Sequence, residues 1–212
     1  MPTRVTLTPP IATDRLLLHT CCAPCSTAIV ECLLDNGIEP LLFYFNPNIH
    51  PAPEYLRRKA ETIRHAERLG LVFIDADYSP RDWIEQMRGL EREPERGERC
   101  ARCFGLRLLA SAHEAAAQGI GLFATTLSTS RWKDLGQIDA AGSAAAAATG
   151  VHYWAHNWRK QGLTERRNQL VQEFGFYQQT YCGCVYSLRD ARQRERGRAD
   201  RSGPSDPGRE RA

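Results

Sequence analysis

Apolar residues fall in short solid runs at 15–18, 41–45, 71–75, 121–127 and 151–154, each bounded by charged, Gly, Pro or Asn positions. Solid runs of that length predict strands buried on both faces. Between them the apolar positions change to helical spacing. Ala28, Ile29, Cys32 and Leu33 share one stripe, with Ser26 available as a cap and Asn36-Gly37 as a stop. Further helices are predicted over 53–69, ending at Gly70, around Trp83, Ile84 and Met87, from Cys100 to Gln118, through the alanine-rich 140s, and over 165–174. The polar stretch 89–100 reads as a loop. Strands alternating with helices predict an α/β fold, a parallel sheet with helices on both faces. Ligands of such sheets gather beyond the carboxyl ends of the strands, where the loop after 15–18 and the segment 125–133 are expected.

A length of 212 residues fits one domain able to bury a full core without disulfide staples. The start MPTRVTLTPP has no apolar signal region, and no apolar run approaches the roughly 18 residues of a membrane span. A cytoplasmic protein without membrane attachment is expected, in a compartment that keeps thiols reduced. The formal charge is +3, and the eight arginines against five acids from Arg189 onward account for it. We therefore expect a flexible start at 1–14, one domain at 15–188, and a disordered Arg-rich tail at 189–212 that acts as a solubilising extension.

Seven of the eight cysteines fall into three groups: Cys21, Cys22 and Cys25; Cys100 and Cys103; Cys182 and Cys184. Clustered thiols in a reduced compartment point to metal or redox chemistry. Cys22-Ala23-Pro24-Cys25 and Cys100-Ala101-Arg102-Cys103 are both C-x-x-C pairs, separated by some 75 residues. A compact zinc ribbon has a spacer of about 15 to 20. The pairs suit a site assembled by folding, open to zinc, an iron-sulfur cluster or disulfide exchange. Adjacent Cys21 and Cys22 can act together only in a bent loop. A disulfide across Cys182-Gly183-Cys184 would close a very small ring and reduce easily, so this pair could cycle two electrons, or bind the same metal site. Cys32 lies on the apolar stripe of its helix and reads as core. His19 beside the first group is a donor or a packed residue, and Trp132, Trp154 and Trp158 are packing residues that could also stack on bases.

The segments HTCCAPCS (19–26), FNPNIHPAPEYLRR (45–58), ERCARCFGLRL (98–108), TTLSTSRWKD (125–134) and YCGC (181–184), in that order, resemble the epoxyqueuosine reductase QueH family over about residues 15 to 188. The resemblance implies an oxidoreductase that reduces epoxyqueuosine to queuosine at the wobble position of tRNA, the last step of queuosine biosynthesis. Removal of the epoxide oxygen takes two electrons and two protons and releases water. The resemblance also implies a 4Fe-4S cluster on Cys21, Cys22, Cys100 and Cys103, with Cys182 and Cys184 as the redox-active, disulfide-forming pair. Cys25 is open to three roles: a ligand in place of Cys21 or Cys22, a ligand of a second adjacent metal ion shared with Asp77 or Asp134, or a catalytic residue. A metal acting as Lewis acid on the epoxide oxygen is expected, with Tyr181, His19 and Asp134 as candidate proton donors. Arg57, Arg58, Arg131 and Lys133 are expected at tRNA phosphates, and the electron donor is unknown. The implied sheet is similar to that of the adenine nucleotide alpha hydrolases (HUP-like fold), but HTCCAPCS stands where their S-G-G-x-D-S nucleotide loop would lie. The chain departs from the family pattern at 160–170, where an expected serine is missing. Two other readings compete: a tRNA sulfur-transfer enzyme of the nucleotide hydrolase superfamily, and a zinc-stabilised RNA-binding module.

Overall fold

The computed structural model describes residues 5–76 and 78–199. Five strands, β1 (Arg15–His19), β2 (Glu39–Tyr44), β3 (Phe73–Asp75), β4 (Leu122–Thr125) and β5 (His152–Tyr153), form one sheet in the order β3-β2-β1-β4-β5. Every pairing is parallel, with Leu17 aligned to Leu41 on one side and to Phe123 on the other. The central strand β1 is buried on both faces, which explains its unbroken apolar run.

Alternate β1 residues feed two cores. Leu16 and Leu18 meet Ile29, Leu33, Ala66 and Leu163 from helices α1 (Ala23–Asp35), α2 (Ala52–Leu69) and α6 (Leu163–Glu173). Leu17 points the other way, to Phe104, Leu108, Ile138 and Ala145 from α4 (Glu98–Ala117) and α5 (Leu135–Thr149). Helices thus cover both faces, as the alternating pattern predicts. The short α3 (Pro80–Gln86) precedes the 87–97 loop, and α7 (Val185–Ala199) closes the described chain. Among the described residues no helix is long and apolar enough to cross a membrane.

Four details differ from the sequence expectation. The first helix begins at Ala23, three residues before Ser26, whose hydroxyl donates back to the carbonyls of Cys22 and Ala23 at 3.2 Å instead of capping. β4 ends at Thr125 because its hydroxyl accepts Leu127 N–H at 3.1 Å and starts a 3-10 turn over Thr126–Thr129. The start is tied down from Val5: Asn36 receives Leu7 N–H and donates to the Val5 carbonyl, both at 2.9 Å, and Leu7 is buried. The first part of the expected tail continues α7 through Ala199. Residues 1–4 and 200–212 of the two expected termini, and Asp77, lie outside the described residues.

Candidate active site

β1 and β4 are neighbours whose connections leave in opposite directions, so a crevice opens beyond His19 and Thr125. Both strand ends are fixed there by His19, which is fully buried. Its Nε2–H donates to the Phe45 carbonyl at 3.3 Å, and Nδ1 accepts from the Thr125 hydroxyl at 2.8 Å. Burial, then the Arg107 charge, holds the imidazole down at about 3, so it is neutral with both nitrogens occupied. His19 is therefore a brace between strands and has no proton to offer.

The chain bends directly after β1, and Cys22 caps α1 with extended backbone. The bend turns Cys21 and Cys22 toward Cys25 in the first turn of α1. The three sulfurs lie within 4.8 Å of one another, with Cys21 and Cys22 at 3.9 Å, and all are buried. Two sulfurs bound at about 2.3 Å to one metal sit at this kind of separation, so the group can hold a metal ion. Hydrogen bonds from Cys22 and then Cys25 hold the Cys21 thiol well below its ordinary range, and the hydrogen bond each makes with Cys21, together with burial, pushes Cys22 and Cys25 up. The Thr126 hydroxyl accepts Cys21 N–H at 3.2 Å and donates to Cys21 Sγ at 3.4 Å. Gln179 Nε2 reaches Cys22 Sγ at 3.5 Å and Cys25 Sγ at 3.8 Å.

The second pair is carried by the start of α4. Cys100 Sγ accepts Arg96 N–H at 3.3 Å, and Cys103 Sγ accepts the Trp83 indole N–H at 3.4 Å. Cys184 packs into the same apolar cluster as Cys103, Trp83 and Met87, and its sulfur accepts Ser187 N–H at 3.3 Å. Burial raises Cys103, and lifts Cys100 and Cys184 to about 11. Six of the seven grouped thiols thus receive an N–H or O–H donor; at Cys100, Cys103 and Cys184 that donor favours the thiolate but burial outweighs it. All eight cysteines are free thiols.

Cys25, Cys100 and Cys182 line one cavity of about 930 Å³ at the carboxyl edge of the sheet. Cys182 is exposed while Cys184 is buried, because Gly183 between them takes φ 125°. A Cβ at Gly183 would lie 3.1 Å from Ile49 Cγ1 and 3.2 Å from an Arg58 guanidinium nitrogen, so only glycine fits the turn. Lys133 lines the same cavity; burial alone would depress its ammonium, but the thiols of Cys182, Cys21 and Cys25 outweigh burial and raise it.

The family model of epoxyqueuosine reductase QueH matches residues 16–190. The chain belongs to the QueH family. It is 49% identical to the epoxyqueuosine reductase QueH of Haemophilus influenzae, over 84% of this chain and 73% of that protein. The QueH of Acinetobacter baylyi is 48% identical, with 88% and 86% covered. The QueH of Thermotoga maritima is 33% identical, with 84% and 93% covered.

Of the residues implied by the QueH resemblance, Cys21 and Cys22 group with Cys25 and not with Cys100 or Cys103, the only such group of metal-ligating side chains among the described residues. Asp134 lies outside that group: its carboxylate accepts Gln137 N–H at 2.9 Å and caps α5. Tyr181 donates its hydroxyl to the His50 carbonyl, and burial raises it to about 12. Arg58 is not placed for phosphate. It is 2% exposed, paired with Glu54 at 2.6 Å, and donates to the carbonyls of Tyr181 and Cys182 at 3.3 Å. Arg57 instead lies over the Tyr177 ring, 3.7 Å from its centroid. Trp154 and Trp158 are core residues. In the 160–170 stretch of altered pattern, Gln161 and Gly162 both have positive φ and lead into α6 with no side-chain cap. Thr126, Gln179 and Arg58 as loop anchor are the working residues that sequence reasoning misses. Only Thr126 carries a signal, its place just past a strand end.

Proposed function

We propose that this chain reduces epoxyqueuosine to queuosine in tRNA, the last step of that modification. The observation that carries the reading is the convergence of the thiol groups on one cavity, at the carboxyl edge of the sheet, in a chain of the QueH family. Cys21 and Cys22, with Cys100 and Cys103, would hold a 4Fe-4S cluster, and the close trio offers Cys25 as a further ligand at the same metal centre. When bound, the cluster supplies one-electron transfer beside the substrate.

The remaining steps belong to the chain's own residues. Cys182, exposed to the cavity, and Cys184, buried behind Gly183, form the redox pair. Two thiols closing to a disulfide release two electrons and two protons. Those match the epoxide oxygen leaving as water with a carbon–carbon double bond in its place, and an external reductant then restores the thiols. Lys133, kept protonated among thiols, faces the cavity as the cation that offsets negative charge during this exchange. Neither the nucleotide-hydrolase reading nor ATP use is favoured, because the turn after β1 presents thiols where a phosphate would need backbone N–H groups.

The test is anaerobic purification with iron and acid-labile sulfide analysis, then reductant-driven turnover of epoxyqueuosine tRNA read by nucleoside mass spectrometry. About four irons per chain with conversion to queuosine supports the reading. A reconstituted cluster with the epoxide untouched refutes the substrate, and one zinc without iron or sulfide refutes the cluster.

A further inference from the structure

Trp132 is 65% exposed, the highest value among the exposed large hydrophobic side chains of the described residues. It lies at the rim of the thiol-lined cavity, on a loop fixed more firmly than an exposed loop needs. Arg96 donates to the carbonyls of Arg131 and Trp132, both at 3.0 Å. Arg159 donates to the carbonyls of Ser128 at 2.8 Å, Ser130 at 2.5 Å and Lys133 at 3.1 Å. Arg96 itself takes φ 70°, a left-handed conformation unusual for a side chain of its size, and its carbonyl is held by the Gln137 amide at 2.6 Å. The Arg131 guanidinium lies 4.8 Å from the Trp132 ring centroid. Fixing long side chains around an exposed indole costs conformational entropy that packing of the indole does not return.

The charge around this ring selects the occupant. The cavity wall carries six cations, among them Arg131, Lys133 and Arg167, against two acids, Glu95 and Asp134. None of those cations is ion-paired among the described residues. An exposed, rigid aromatic face within a cationic mouth is the form of a site that stacks bases of single-stranded nucleic acid. We propose that Trp132 stacks a nucleobase flanking the modified nucleotide, holding the single-stranded loop of the RNA at the rim while the modified base enters the cavity. This rests on the tRNA reading above and adds the residue that positions the substrate.

The test is binding of an unmodified anticodon stem-loop RNA to the intact protein, by anisotropy over a range of salt. Trp132→Ala weakens binding by about 5- to 150-fold, the equivalent of the roughly 1–3 kcal/mol of one stacked base, whereas Trp132→Phe keeps most of the affinity and Trp132→Leu does not. Duplex RNA without a loop binds all variants alike. The dependence of log Kd on log salt keeps its slope in Trp132→Ala, because stacking releases no counterion. Parent-like affinity in Trp132→Ala overturns the proposal. So does a fall in slope of about 1, which would mean that Trp132 acts through Arg131. Unchanged RNA binding with turnover lost only toward a protein reductant would give the patch to a protein partner and also overturn it. Because the binding probe is unmodified and its binding is read separately from turnover, Trp-dependent binding without reductase activity refutes only the function, and reductase activity with Trp-independent binding refutes only this inference.

Discussion

Arg58 is the residue through which helix α2 holds the Cys182–Cys184 loop, and its removal measures how much that support matters. The guanidinium pairs with the Glu54 carboxylate at 2.6 Å and reaches the carbonyls of Tyr181 and Cys182, with Arg58 2% and Glu54 11% exposed. Arg58→Met keeps the apolar stem and strands Glu54 beside Tyr177, whose hydroxyl donates to it at 3.0 Å. Breaking a buried pair by removing one partner costs about 3–5 kcal/mol, and for a domain of this size that lowers Tm by roughly 6–20 °C. Glu54→Gln on the Arg58→Met background removes the stranded charge and recovers part of the loss. A double-mutant cycle by thermal melting should therefore give a coupling energy of about 1–3 kcal/mol. The two carbonyls that Arg58 held remain undonated in both variants, so the Cys182–Cys184 loop stays loosened and turnover stays low. The salt slope of RNA binding does not change, since Arg58 reaches no phosphate. A destabilisation below about 1 kcal/mol, additive mutations, or a slope lowered by one counterion would refute this account.

Gly183→Ala should unseat the same loop by another route: a left-handed φ in alanine costs about 1–3 kcal/mol, so activity falls and Cys184 becomes reactive to thiol reagents, while a variant with parent labelling kinetics would show that the turn relaxes freely. Asp134→Ala removes the α5 cap and should cost about 1 kcal/mol with metal content unchanged; loss of metal at unchanged stability would make Asp134 a ligand after all. His65 is held down at about 4, first by burial and then by Arg68. The unfolded chain therefore binds a proton that the folded chain refuses between about pH 6.5 and 4, and stability falls as pH drops through that window. At pH 5 the His65 share of that loss is about 2 kcal/mol, and His65→Gln should flatten stability between pH 7 and 5 in denaturant titrations; an unaltered slope sinks the assignment.

The strands were legible because a parallel sheet covered on both faces demands unbroken apolar runs, and β1 and β2 follow theirs closely. The end of β4 was read two residues too late, since Leu127 is as buried as a strand residue but sits in the 3-10 turn that Thr125 starts. Helix α7 from Arg189 onward was read as part of a disordered tail because its apolar face is thin; its start is seated by Ser187 against Cys184 and by the Arg99 guanidinium 4.5 Å over the Tyr186 ring. The thiols announced a site because they cluster along the chain. Which thiols meet did not follow from spacing: Cys25 joins Cys21 and Cys22 because α1 begins at once, and Cys184 joins Cys103 because Trp83 and Met87 from a distant helix and loop make a pocket for both. Gln179 and Arg58 act singly across more than a hundred residues of sequence, and a lone Gln or Arg carries no pattern.

The turn after β1 also decides what this sheet edge can hold. A helix N-terminus at a topological switch point offers backbone N–H groups and a positive dipole end, which suits a phosphate. Here Pro24 occupies the first turn of α1 and removes one of those donors, and Cys25 N–H is turned back to the Cys22 carbonyl at 3.2 Å. The dipole remains, and the negative group it favours is the thiolate of Cys21, whose thiol is held well below its ordinary range. Three sulfurs gathered at this helix end can hold a metal ion. The few residues between β1 and the first turn of α1 thus offer sulfurs, and few free backbone N–H groups, at the edge of the sheet.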